Sequence, residues 1–181
     1  MRRNKEESTR TMPATGLCAL QWDEALAIAS LRIQRLIHYD AIVFYGCDDT
    51  LVDAKYTGGD ARAGLEGLAV PRGEGLVGWV ADVGKPILNG NPAVEPGYAG
   101  SDRSPGLASA MALPLVSGGR VVGVLALYRK EKDAFAADEL VSLLEICPSL
   151  AALMLETTET PTQLSNMAAA VEQDSASLAN A

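Results

Sequence analysis

Arg72-Gly73-Glu74-Gly75-Leu76-Val77-Gly78-Trp79-Val80-Ala81, followed by Gly84-Lys85-Pro86-Ile87-Leu88, is the stretch from which the rest of the chain can be read. Its first three glycines lead into Leu76, Val77, Trp79 and Val80, which present an apolar face when wound as a short helix. Gly84 stands where a helix C-terminus accepts a positive φ. Pro86 forbids continuation and starts an extended segment. The order is therefore loop, short helix, strand. The glycines also fit G-x-G-x-x-G, the dinucleotide fingerprint, but that motif needs a preceding strand and a surrounding βαβ unit. Leu68-Ala69-Val70 is short and closed by Pro71, and Ile87-Leu88 opens into an irregular segment. Glu95 lies where a ribose-binding acid would be sought, yet it falls in that segment and not at a strand end. The glycines are read instead as allowing a tight turn and close packing of a helix on a sheet.

Upstream, Trp22 to Ile37 reads as an amphipathic helix with Trp22, Leu26, Ala29, Ile33, Leu36 and Ile37 on one stripe. Ile28 and Leu31 fall outside it, as they would on a helix that packs against two surfaces. Ala41 to Tyr45 alternates as a strand, Ile42 and Phe44 on one face, Val43 and Tyr45 on the other. Gly46 to Asp49 is a turn, and Thr50 to Tyr56 its hairpin partner, with Val52, Ala54 and Tyr56 on one face. Gly58-Gly59 ends that strand. Asp60 to Leu68 is a connector with room for one helical turn.

Downstream, Asn89 to Gly106 is rich in Asn, Pro, Gly, Ser and Asp. At about eighteen residues it exceeds the usual ~12–15 of a structureless loop, so function or mobility is expected of it. Met111, Leu113 and Leu115 alternate on the next strand, and Pro114 within it implies an edge or a bulge. Ser117-Gly118-Gly119-Arg120 is a hairpin turn. Val121 to Tyr128 is a strand in which Gly123 marks a bulge or a close backbone approach. Phe135 to Glu139 opens a last helix, its acids at the positive end of the dipole. The stripe of that helix is Leu140, Leu143, Leu144, Cys147, Leu150, Ala151 and Met154, and Pro148 inside it predicts a kink.

The bulk composition narrows the function. The 181 residues suffice for one domain with tails: a lead-in at 1–16, a folded domain at 17–156 and a linker or tail at 157–181. A net charge of −8 with 5% aromatic residues argues against a nucleic-acid surface. Cys18, Cys47 and Cys147 are scattered, which suits a reducing compartment, and a single histidine, His38, leaves no zinc-ligand cluster. With no apolar h-region behind Met1-Arg2-Arg3 and no ~20-residue apolar run, a cytoplasmic, non-membrane protein is expected.

Read together, the segments resemble a GAF domain. The resemblance rests on Gly73 to Trp79, Gly84-Lys85-Pro86-Ile87, Ala112-Leu113-Pro114-Leu115, Gly119 to Leu125 and Phe135 to Leu140, and it covers about residues 18–156. It implies an α+β fold with a central antiparallel sheet, helices on one face carrying dimer contacts, and a small-molecule pocket under a loop on the other. Family members that bind cyclic nucleotides carry an Asn-Lys…Phe…Asp-Glu signature. Here Phe135, Asp138 and Glu139 are present, but Tyr128-Arg129 replaces Asn-Lys. Bilin attachment needs a pocket cysteine, and none lies between Asn89 and Met111. Haem needs an axial ligand, and His38 is read as exposed or capping. The sulfoxide-reductase branch uses cysteines near the long loop, which Cys18, Cys47 and Cys147 do not match.

The expectation is a non-enzymatic sensory or regulatory module, with Tyr45, Trp79, Asn89, Tyr98, Ser109 and Met111 as ligand-binding residues. The ligand and any cofactor are unknown. A homodimer through Trp22–Ile37 and Leu140–Leu155 is expected, with output passed to a separate protein or to a region outside this sequence. A ligand-free dimerisation module and a free methionine sulfoxide reductase are the alternatives.

Overall fold

The computed structural model describes residues 14–62, 64–98 and 106–155, with side chains from Asp23 onward. Helix α1 (Ala14–Leu36) leads into strands β1 (Ala41–Cys47), β2 (Leu51–Gly58) and β3 (Ala69–Pro71). Helix α2 (Gly75–Val83) follows, then β4 (Ile87–Gly90), a 3-10 turn (Pro92–Val94), β5 (Ser109–Ser117) and β6 (Arg120–Arg129). A last helix, α3, spans 137–155. The strands form one six-stranded sheet in the order β3-β2-β1-β6-β5-β4, with every pairing antiparallel.

Alternation along the strands gives the sheet two apolar faces. Ile42, Phe44, Met111, Leu113, Leu115, Leu125 and Leu127 meet Leu26, Ile33, Leu143, Cys147 and Met154 of α1 and α3. Val43, Tyr45, Val52, Val70, Ala110, Ala112, Val124, Ala126 and Tyr128 meet Val77, Val80 and Ala81 of α2, together with Leu65, Tyr98 and Leu107 from the connecting segments. This is the α+β arrangement expected, with the two long helices on one face and a short helix and connectors on the other.

Local signals explain most boundaries. Gly84 caps α2 at φ 69°. Gly78 allows α2 to lie on β3, since a β-carbon there would strike the Pro71 carbonyl. Gly118 and Gly119 take φ of 56° and 78° in the β5–β6 hairpin. A β-carbon on Gly123 would stand 2.6 Å from the Tyr45 carbonyl oxygen, which is the close approach its place in a strand implied. Pro114 lies past the end of β4, which pairs only with Ala110 and Ala112, so its missing N–H falls where β5 has a free edge.

The structure corrects five local readings. Helix α1 begins at Ala14, eight positions before Trp22, and Leu36 is 64% exposed and not on the buried stripe. Strand β1 runs on through Gly46 and Cys47. The turn after it is built by Asp48, whose Oδ1 accepts from the Thr50 and Leu51 amides, both at 2.7 Å. Tyr56 faces the long helices and not the side of Val52 and Ala54. A β-bulge shifts the register between Phe44 and Tyr45, so Tyr56 pairs with Phe44 and packs edge-on against it at 6.0 Å. Asn89 to Gly106 is only partly irregular: Asn89 and Gly90 belong to β4, and Pro92–Val94 is helical. Residues 99–105 of that expected loop lie outside the described residues. On α3, Leu144 is half-exposed and off the buried stripe. The helix is continuous across Pro148, which is solvent-exposed.

Candidate functional site

The α2 side of the sheet holds an unusual concentration of buried polar groups. Its construction begins with Asn91-Pro92-Ala93-Val94. The Asn91 side chain accepts from the Ala93 amide at 3.0 Å, and Pro92 starts a single 3-10 turn. Glu95-Pro96-Gly97-Tyr98 then closes a second turn. The Tyr98 amide donates to the Glu95 carbonyl at 3.1 Å, with Gly97 at φ 82°. Proline followed by a positive-φ glycine is the pattern of a type II turn. The two turns together send the side chains of Glu95 and Tyr98 into the protein, where they are 1% and 3% exposed.

The Glu95 carboxylate ends at the amino terminus of α2. Its Oε2 accepts from the Leu76 amide and its Oε1 from the Val77 amide, each at 2.9 Å. The first-turn amides of a helix have no intrahelical acceptor. The N-cap residue Glu74 supplies none from its own side chain, so Glu95 does that work from another segment. Gly75, at φ 62°, makes the approach feasible, because a β-carbon there would overlap Glu95 Oε2 and crowd Pro96. Burial raises the Glu95 pKa, and the two amide bonds partly oppose the rise. Behind it, the Tyr45 and Tyr128 hydroxyls sit 3.2 Å apart. Burial holds both phenols well above their ordinary range, and the Glu95 charge pushes in the same direction. Tyr98 acts electrostatically on Tyr128 as well. Its own hydroxyl is fully buried and has no hydrogen-bond partner among the described residues.

Of the residues singled out in the sequence, Tyr45 and Tyr98 are brought into this cluster. The other four are placed elsewhere. Trp79 is on the outer side of α2 and 38% exposed. Met111 points to the opposite face, among the long helices. The Ser109 hydroxyl donates to the Glu131 carbonyl at 2.7 Å. Asn89 clamps the start of α3, its Oδ1 accepting from the Phe135 amide at 2.9 Å and its Nδ2 donating to the Phe135 carbonyl at 2.8 Å. Glu95, Tyr128 and the α2 amides are what sequence reasoning missed. Glu95-Pro96-Gly97-Tyr98 was the available signal, since a type II turn puts its first and last residues side by side.

The Phe135 and Asp-Glu signature has a structural use here. The Arg129 guanidinium lies 4.3 Å from the centre of the Phe135 ring and pairs with Glu139 at 2.7 Å. It also donates to the carbonyls of His38 and Ala134. Glu139 accepts from the Ala136 amide at 2.8 Å, as in a capping box. Burial opposes ionisation of Glu139, but the Arg129 and Ala136 bonds outweigh it and hold the carboxyl below its ordinary value.

An open cleft of about 460 Å³ lies at the other end of the sheet, lined by Cys47, Arg72, Asp82, Gly84, Arg120 and Val121. Arg72 is already engaged there, donating to the carbonyls of Asp48 and Ala81. Burial raises the Cys47 thiol to about 11 despite the nearby Arg72, and burial alone raises Cys147 to about 11. The side chain of Cys18 lies outside the described residues. Among the described residues no three His, Cys, Asp or Glu side chains cluster as a metal site, and no helix is long and apolar enough to cross a membrane.

Residues 19–156 match the family model described as GAF domain. No curated protein sequence matches. Among solved structures, the GAF domain of a phosphoenolpyruvate-protein phosphotransferase from Coxiella burnetii is similar at TM-score 0.63 and 22% identity, covering 78% of this chain and 86% of that one. A type II free methionine-R-sulfoxide reductase from Thermoplasma acidophilum is similar at TM-score 0.61 and 17% identity, covering 77% and 96%. The second GAF domain of DevS from Mycobacterium smegmatis is similar at TM-score 0.57 and 18% identity, covering 80% and 99%. At these identities the likeness is one of fold.

Proposed function

Because the chain belongs to the GAF domain family, we propose that it is a non-enzymatic sensory or regulatory module that binds a small molecule on the α2 face and signals through a helical dimer on the other. GAF domains are mostly regulatory, and the similar structures include both GAF domains of other proteins and an enzyme. The observation that carries the reading is the division of the sheet. One face holds the buried Glu95–tyrosine cluster. The helices on the other expose Ile28, Leu31 and Leu36 of α1 and Val141 and Leu144 of α3 outward. Large apolar side chains left exposed on both helices of one layer are what a partner surface would cover. A second copy covering them would link the two helices to whatever the α2 face binds. Within the cell, the cytoplasm is the compartment the cysteine usage suits.

Reductase chemistry is disfavoured by the thiols. A reactive cysteine is accessible and partly thiolate, whereas burial keeps Cys47 and Cys147 protonated. The ligand-free dimerisation module stays as the second reading for one specific reason: Tyr45, Tyr98, Tyr128 and Glu95 fill the space between sheet and connector. A thermal-shift screen of small metabolites separates the two. Saturable stabilisation by one compound class supports the sensor, and a flat screen on a stable dimer supports the interaction module. A cysteine-dependent, NADPH-coupled sulfoxide assay is expected to show no turnover.

A further inference from the structure

We infer that Asn91–Tyr98 is a strap that lifts off the α2 face in one step, with the Glu95 carboxyl as its latch. This rests on the reading that the α2 face takes a small molecule, and describes how that face is opened. The hydrogen bonds divide into two sets. Within the segment, the Ala93 and Val94 amides donate to Asn91, the Glu95 amide to Pro92 and the Tyr98 amide to Glu95. Only the Leu76 and Val77 amides, each 2.9 Å from a Glu95 carboxylate oxygen, bond it to the rest of the described chain. Asn91, Ala93, Val94 and Gly97 are exposed, while Pro92, Glu95 and Tyr98 anchor the segment inward. Two of these three anchors oppose their own burial. Glu95 is a carboxylate with no ion pair among the described residues. The Tyr98 hydroxyl is buried with no hydrogen-bond partner among them. Both groups regain water when the strap lifts, and that opposes the two amide bonds and the burial of the Tyr98 ring. The ring shares one apolar cluster with Tyr45 and Tyr128, so lifting the strap thins the layer over those two phenols. A segment tied down this sparsely opens well before the fold does.

The latch responds to pH through Glu95. Burial outweighs the two amide bonds at this carboxyl, and no charged neighbour adds to the shift. The first turn of α2 carries no charged side chain, and Glu74 ahead of it is exposed. The phenols of Tyr45 on β1 and Tyr128 on β6, which feel the Glu95 charge, stay neutral. The closed strap therefore binds the proton more tightly than the open one. Opening becomes easier as the pH rises from 4.5 through the native value, and is level above it.

The test is amide hydrogen exchange of the full chain, read by NMR from about pH 7 to about pH 4.5 and corrected for intrinsic rates. Turns this short do not persist once released. Leu76, Val77 and Tyr98 should therefore share one opening constant, roughly tenfold or more above that of Leu125 in β6, which lies between β1 and β5. Acidification should lower the shared constant roughly threefold or more, one proton setting a ceiling of about tenfold per pH unit. Glu95→Gln should remove that pH dependence. Tyr98→Phe, which keeps the ring and deletes the unpaired hydroxyl, should fold as the wild type does and lower the constant roughly threefold or more. Leu76 and Val77 exchanging no faster than Leu125, or independently of Tyr98, would overturn the inference. So would a wild-type constant that does not change with pH, a reading that needs no variant to fold. Opening as described, with no small molecule bound in a thermal-shift screen, would keep the strap and sink the sensor reading instead.

Discussion

A missing β-carbon at Gly75 lets a carboxylate reach the end of α2, and a missing one at Gly78 lets α2 reach β3. The two glycines do different work, so their alanine variants should differ. Gly78→Ala forces the helix away from the Pro71 carbonyl and should cost about 1–3 kcal/mol by overpacking, measured by urea unfolding. Gly75→Ala adds a left-handed strain and expels Glu95, so it should also free the Leu76 and Val77 amides to exchange faster with deuterium. Glu95 gives a pH signature whose sign is fixed by its environment. Its native pKa is raised, chiefly by burial, above the ordinary 4.5. The native state therefore binds the proton more tightly than the unfolded chain. The contribution to stability is full below 4.5 and is lost as the pH rises through the native value. Tyr45 and Tyr128, pushed further up by burial, stay neutral throughout that window. Wild type should therefore gain stability relative to Glu95→Gln as the pH is lowered from neutrality. A constant difference across that range would show that Glu95 does not titrate there. Glu139 has the opposite sign, since its lowered pKa means stability lost on acidification.

At the level of elements, α3 is held at its start by side chains from two other places. Asn89, itself at φ 57°, bridges the Phe135 backbone, and Arg129 ties Ala134, Phe135 and Glu139 together. Asn89→Ala should cost about 2 kcal/mol, from two hydrogen bonds and a left-handed backbone that alanine resists. Asn89→Gly, which loses the same two hydrogen bonds but tolerates the left-handed backbone, should cost less. Pro148 sits exposed in a helix that continues past it. Pro148→Ala should raise stability by up to ~3 kcal/mol. An unchanged melting temperature would mean that the ring is accommodated without cost. The pieces that could be read in the sequence were those set by local chemistry: Gly84 as a cap, Gly118-Gly119 as a turn, and the alternation of Ile42 and Phe44 against Val43 and Tyr45. Those missed depend on distant partners. No local pattern shows the bulge that turns Tyr56 over, or the α2 amides that draw Glu95 inward from a segment read as irregular. Ala14 to Gln21 offers no apolar stripe against charged residues to mark a helix start, although its alanines and leucines favour helix. Met111, expected among the ligand-binding residues, is sent to the other face by strand parity.

The whole molecule is a sheet with a cluster of buried polar groups on one face and, on the other, helices that leave apolar side chains exposed; the dimer proposed for that second face makes its own prediction. Leu31 and Val141 are 60% and 57% exposed, so charge there leaves the core intact. Leu31→Glu combined with Val141→Glu should give monomers by sedimentation equilibrium with the melting curve of the isolated fold preserved. The proposed dimer is linked to a small molecule bound on the α2 face, and native mass spectrometry of the freshly purified full chain tests both at once. The predicted result is a species of two chains carrying the added mass of a small organic molecule, released on denaturation. A bare single chain would contradict the account.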